Sequence, residues 1–241
     1  MTKSYPRLTV AGDSALALEF GDSIDPVLND RVLALDAALA REPIAGVVEI
    51  VPTYRSLMVH YDPTAIDFAK LGKLIMDIAA REAATPRKGR RWRVPVVYGG
   101  AFGIDLEEVA KWHGMTTDEV VARHSAGDYR VYMLGFLPGY TYLGGLDPQI
   151  ATPRRPDPRL ETPAGTIGIG GIQTGIQCLA APSGWHLVGR TPMRTYHPRR
   201  DPMFLLEPGD SVTFFPIPAS EWQAFDRAAE AGELVAESID L

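Results

Sequence analysis

Tyr129-Arg-Val-Tyr-Met-Leu-Gly-Phe-Leu-Pro-Gly-Tyr-Thr-Tyr-Leu-Gly-Gly145, Pro163-Ala-Gly-Thr-Ile-Gly-Ile-Gly-Gly-Ile-Gln-Thr-Gly175 and Pro182-Ser-Gly-Trp-His-Leu-Val-Gly-Arg-Thr191 decide how the second half of the chain folds. Short apolar runs alternate with glycines and prolines, the punctuation of many brief strands joined by tight turns. From Tyr129 to Ile217 this pattern predicts a closed or nearly closed β-barrel. Glycine also lets backbone approach a ligand or a neighbouring strand where a Cβ would block it. Gln173, Thr174, Trp185, Arg190 and Thr191 stand beside those glycines, which marks a candidate recognition surface.

Upstream the pattern changes. Leu8–Ala11 and Ala15–Phe20 flank Gly12-Asp13-Ser14 as a hairpin. Asp25 followed by Pro26 reads as an N-cap and first helical residue, with Leu28, Val32, Leu35 and Leu39 on one face. Val47–Val51 and Ser56–Tyr61 read as strands, and Phe68, Leu71, Ile75 and Ile78 line a second helix. The order is ββαββα, economically solved by a sheet with helices over one face. Thr85-Pro-Arg-Lys-Gly-Arg-Arg91 reads as a basic linker, giving an α+β domain over 1–85 and a barrel domain over 92–241. In the second domain, Trp92–Tyr98 is a strand and a helix from Leu106 stops at Gly114. Thr116 with Glu119 forms a capping box, and a last helix around Ala219–Ala231 ends at Gly232.

With 24 Lys+Arg against 30 Asp+Glu the net charge is −6, which argues against a bulk nucleic-acid binder. Cys178 is the only cysteine, so no intrachain disulfide forms and a reducing, cytoplasmic setting is the expectation. No apolar run reaches the roughly 20 residues that span a bilayer. A phosphate-binding P-loop word is absent, and Gly165–Gly171 is read either as a phosphate cradle or as close strand packing. The five histidines show no metal-ligand spacing, so no metal site is expected. His124 reads as a dipole-compensating cation or a packed imidazole. Ser183 lacks a nucleophile-elbow context and Cys178 reads as a small buried hydrophobe, which leaves the catalytic residues unassigned.

The arginines are the stronger candidates, because a fixed guanidinium offers carboxylate or phosphate a planar fork. Arg154, Arg159 and Arg190 follow or sit within constrained segments. Each is read either as a ligand-binding group or as a structural partner of Asp157, Glu161 or Asp201. Gln173 and Thr174 suit an amide or ureide. Phe136, Pro138, Tyr140 and Tyr142 form an aromatic turn that is either an interface patch or a pocket lid, with Trp185 and Arg159 nearby in the pattern.

Four words in order resemble the KipI family, also called the 5-oxoprolinase B-subunit family or allophanate hydrolase subunit 1. They are Gly12–Asp22, Gly46–Pro63, Val94–Gly100 with Asp105–Ala110, and the Gly135–Thr191 segments. Tyr140, Ser183, Ile104 and His197 depart from residues more usual in that family. The resemblance implies a ferredoxin-like N-terminal domain and a cyclophilin-like barrel. It also implies two partners, the KipA-like C subunit and the A subunit of 5-oxoprolinase, in an ATP-dependent complex opening 5-oxo-L-proline to L-glutamate. ATP is then handled by the complex, with neither metal nor biotin on this chain. The chain is expected to be inactive alone and prone to self-association when isolated. On this reading Arg154, Gln173, Thr174, Arg190 and Thr191 line the substrate site. Two alternatives stay open: a carboxyltransferase-like component acting on urea derivatives, and a regulator that inhibits a histidine kinase.

Overall fold

The computed structural model describes residues 4–82 and 89–239. The chain divides into two compact units, Met1–Arg87 and Lys88–Leu241. Thr85–Lys88 of the expected linker lie outside the described residues.

The first unit contains β1 (Arg7–Val10), β2 (Ala15–Glu19), α1 (Pro26–Arg41), β3 (Val47–Pro52), β4 (Ser56–Tyr61) and α2 (Phe68–Arg81). The strands form one sheet in the order β1-β2-β4-β3, antiparallel throughout. Leu16, Leu18, Leu57 and Val59 share one core with Val32, Leu35, Leu39, Leu71, Ile75 and Ile78, so both helices cover the same face. Period-two strands and period-3.6 helices converge there because each has a single apolar stripe to hide. Asp25 accepts from the amides of Val27 and Leu28 at 2.7 and 3.2 Å, with Pro26 as the first helical residue.

The second unit contains β5 (Arg91–Tyr98), α3 (Leu106–His113), α4 (Thr117–Ser125), β6 (Tyr129–Leu134), β7 (Thr141–Gly144), β8 (Arg159–Thr162) and β9 (Thr166–Gly170). They are followed by β10 (Gln173–Ile176), β11 (Ala181–Ser183), β12 (His186–Arg190), β13 (Ser211–Pro216), α5 (Trp222–Glu230) and β14 (Glu237–Ile239). Seven strands close a barrel in the ring β5-β13-β6-β7-β10-β9-β12, and the pairing of β12 with β5 completes it. Only β5 with β13 is parallel. At the closing seam a Cβ on Gly189 would stand 2.8 Å from the Val97 carbonyl oxygen, so the strands can meet there only at glycine. A separate two-stranded sheet, β8 with β11, lies outside the ring.

Val94, Val96, Tyr129, Val131, Leu143, Ile167, Ile169, Ile176, Val188, Val212 and Phe214 form the core of this unit, together with Val109 and Val120 of the two short helices. Gly114 ends α3 in the left-handed region at φ 64°, and the Thr116–Glu119 capping box opens α4. α4 delivers His124 into the barrel, where it is fully buried and stacked on Phe214 at 5.0 Å. Thr174 Oγ donates to the Gly168 carbonyl at 3.0 Å and therefore accepts from His124 Nε2, also at 3.0 Å. Nδ1 is left to accept from the Tyr98 hydroxyl at 2.8 Å. Burial lowers the His124 pKa to about 3. Of the two sequence readings of His124, the packed neutral imidazole is the one realised: no counter-charge lies close enough to hold a proton there.

Candidate functional site

The turn after β6 and the segments preceding β8 and β12 together build a pocket of about 320 Å³. Its floor is Tyr140 and Trp185, each 6% exposed. Tyr142 stands 4.6 Å from Tyr140 ring to ring, and both meet the Trp185 indole edge to face at 6.2 and 6.1 Å. Such an aromatic box is rigid, because each ring blocks the rotation of the next. Trp185 is seated by two glycines of β9: a Cβ on Gly170 would fall 2.6 Å from the indole and one on Gly168 3.2 Å from the Trp185 Cβ. At Gly168 and Gly170 the run Gly165–Gly171 is therefore close packing, with the indole filling the space a phosphate would need.

Phe136 rises at the rim, 63% exposed and edge-on to Tyr140 at 5.7 Å. Its φ is +66°, in a three-residue turn where the Leu137 amide donates to the Gly135 carbonyl at 2.7 Å. A bulky residue held in that region stores strain, of order 1–3 kcal/mol. Pro138 faces the neighbouring groove, lined also by Leu134, Leu137 and Phe204.

Arg154 supplies the pocket's charge. Its guanidinium carbon lies 5.6 Å from the Trp185 ring centre, and among the described residues it has no carboxylate partner. Burial pushes the Tyr140 phenol well up, and the Tyr142 phenol up with Arg154 opposing. Both hydroxyls are thus protonated at neutral pH, and Tyr140 can donate a hydrogen bond but not act as a base.

The remaining sequence candidates are placed elsewhere. Arg190 donates to the Ala164 carbonyl at 3.2 and 2.9 Å and lies over the Trp222 ring at 4.8 Å, so its partners are a carbonyl and an indole, not the expected carboxylates. Arg159 binds Asp105, not Asp157, Glu161 or Asp201, through two bonds of 2.9 and 2.6 Å. A partner 54 residues distant is invisible to a local reading. Thr174 and Thr191 are fully buried; Thr174 serves the His124 network, and Thr191 Oγ accepts from the Met193 amide at 3.1 Å. Gln173 opens β10 opposite Gly170 and does not line the pocket. The structure therefore gathers Phe136, Tyr140, Tyr142, Arg154 and Trp185, and separates them from Gln173, Thr174, Arg190 and Thr191.

Residues missed in the sequence complete the walls: Arg155, Pro158, Pro182, Ser183 and Gly184. Proline and serine flanking the Ser-Gly-Trp turn were a usable signal, because rigid turns beside an aromatic anchor commonly frame a pocket. Ser183 Oγ accepts from the Trp185 amide at 3.2 Å, fixing that turn. Cys178 is buried, and burial pushes its thiol pKa up. No group of three or more His, Cys, Asp or Glu disposed to hold a metal ion occurs among the described residues. No helix among them is long and apolar enough to cross a membrane.

Fold and site define a class: an α+β unit followed by a closed β-barrel that carries an aromatic pocket beside an arginine. The chain belongs to the family of the carboxyltransferase domain, subdomain C and D, whose model matches residues 6–206. It is 39% identical to the B subunit of the 5-oxoprolinase of Bacillus subtilis (strain 168) over 93% of this chain and 98% of that protein. Among solved structures it resembles TTHA0988 at 37% identity and a TM-score of 0.76, covering 85% of this chain but only 40% of that longer one. The Kluyveromyces lactis urea amidolyase shares the fold, with a TM-score of 0.83 at 22% identity over 96% of this chain and 16% of that one.

Proposed function

We propose that this chain is the B subunit of an ATP-dependent 5-oxoprolinase, which opens 5-oxo-L-proline to L-glutamate. The observation that carries the reading is the full-length similarity to a protein of that name; the pocket supplies its chemistry. On this view the N-terminal unit is of the ferredoxin-like type and the barrel of the cyclophilin-like type. The working enzyme is cytoplasmic and includes the A subunit and the KipA-like C subunit, and the isolated chain is inactive and self-associates.

A volume of about 320 Å³ sits at the lower end of the roughly 300–1,000 Å³ range of ligand pockets. It suits a five-membered lactam. On this reading ATP is handled by the assembled complex, and no step here is routed through it.

What the chain contributes is binding and orientation. Arg154 pairs its uncompensated fork with the substrate carboxylate. The lactam ring lies against Tyr142 and Trp185, which exclude water from its face. Tyr140 donates its hydroxyl hydrogen toward the lactam carbonyl oxygen, where negative charge gathers as the amide loses resonance. No general base is assigned to this chain.

Co-expression with the candidate partners and an assay of ATP-coupled glutamate release tests the reading. In the assembled complex, Arg154→Ala should raise KM for 5-oxo-L-proline by about 10- to 100-fold, the loss of a charge-assisted pair worth about 1.5–3 kcal/mol. Because Arg154 is exposed, the melting temperature should move little. An unchanged KM would remove Arg154 from the substrate site.

A further inference from the structure

Asp105 is only 3% exposed and stands at the N-cap of α3, yet its carboxylate caps nothing in that helix. It turns instead toward the pocket walls. Arg159, next to the wall residue Pro158, grips it with two bonds of 2.9 and 2.6 Å. Arg155, itself a wall residue, lies 3.5 Å away and also donates to Glu108 at 3.0 Å. The Leu187 amide, two residues beyond Trp185, donates to Asp105 Oδ2 at 2.8 Å, and the Asp105 amide answers to the Leu187 carbonyl at 3.0 Å. Arg155 is further tied by its own amide to the Gly184 carbonyl at 2.7 Å. One buried anion thus joins the Arg154–Arg159 wall to β12, the strand that begins immediately after Trp185.

We propose that Asp105 is a positioning residue for the pocket: its charge sets where Arg155 and the adjoining Arg154 stand relative to Trp185. This rests on the substrate reading above only for its kinetic consequence. Two arginines flanking one wall and the amide of Leu187, just past Trp185, share this single carboxylate, so its loss loosens both sides of the pocket together. A displaced binding arginine weakens the ground state and the transition state alike, a loss that is read in KM and not in kcat.

Two variants separate positioning from plain stabilisation. Asp105→Asn keeps an oxygen for the Leu187 amide but loses the charge. Asp105→Asn combined with Arg159→Gln also removes the stranded guanidinium and so restores charge balance in the buried site. In the assembled enzyme both variants should raise KM for 5-oxo-L-proline about tenfold with kcat nearly unchanged. The double variant should melt close to wild type. Recovery of KM together with melting temperature in the double variant would reduce Asp105 to a structural role.

A second readout needs no substrate. Phenylglyoxal modification followed by peptide mass spectrometry on the full chain should find Arg155 slow in wild type and about tenfold faster in the double variant, where the buried anchor is gone and the exposed Glu108 is the carboxylate left to it. An equal Arg155 rate in both proteins would overturn the proposal. If the wild-type complex fails to open 5-oxo-L-proline while Arg155 is released as expected, the substrate reading falls and the positioning role stands.

Discussion

Trp185→Ala is expected to lower the melting temperature of the barrel unit by roughly 10 °C. Emptying a buried aromatic site costs about 3–5 kcal/mol, and a unit of this size loses about 2–4 °C per kcal/mol. Trp185 is 6% exposed, and Gly168 and Gly170 exist beneath it to make room for the indole. The cavity cannot collapse by a local shift, because Tyr140 and Tyr142 meet the same ring from the side. Function should fall further than stability. The same truncation removes the face under Arg154 and the floor of the pocket, so turnover of the assembled enzyme should be lost well below the melting point. Trp185→Phe separates the two losses: it keeps part of the packing and a weaker cation–π face. It should recover most of the stability and only part of the substrate affinity. Differential scanning calorimetry beside steady-state kinetics reads both. A Trp185→Ala protein that melts like wild type would mean that the indole is not a floor at all.

The barrel unit should also lose stability steeply as the pH falls from 6.5 toward 3. His124 has its pKa lowered to about 3 by burial, against about 6.5 in the unfolded chain. Below 6.5 the unfolded state takes up a proton that the folded state refuses, so stability is fully present above that value and declines on acidification. At pH 5 the deficit is about 2 kcal/mol from this one residue, at 1.36 kcal/mol per pH unit. Protonation would leave Nδ1 with a hydrogen facing the Tyr98 hydroxyl and place a charge against Phe214 and Tyr129. Urea midpoints measured from pH 7.5 to 4.5 should therefore slope downward. His124→Gln should be less stable at pH 7 but lose that part of the slope. Parallel curves for the two proteins would exclude His124 as the source.

Much of the architecture was legible because it rests on short-range chemistry. The Asp25–Pro26 start, the Gly114 stop and the Thr116–Glu119 box are each decided within a few residues, and each stands where the pattern put it. The site was half legible. Phe136, Tyr140, Tyr142 and Trp185 share a pocket because aromatics beside Gly-Pro turns have little else to pack against, and Arg154 joins them. Gln173 and Thr174 looked equally suited to a ligand. Strand alternation puts neighbouring side chains on opposite faces of the sheet, and Thr174 is the one turned into the core, where it meets His124.

Composition and order alone determined the ββαββα unit, the many-stranded barrel and the choice of arginines and aromatics as the chemical vocabulary of this protein. Only the tertiary structure decided which arginine is free. Arg154, Arg159 and Arg190 are alike in sequence, but Asp105 claims Arg159, and Ala164 and Trp222 claim Arg190. The physical reason is distance along the chain: a guanidinium takes the nearest acceptor in space, and barrel closure brings acceptors from tens of residues away. Of these three, Arg154 is the one left with no hydrogen-bond acceptor among the described residues, and it is the one that lines the pocket.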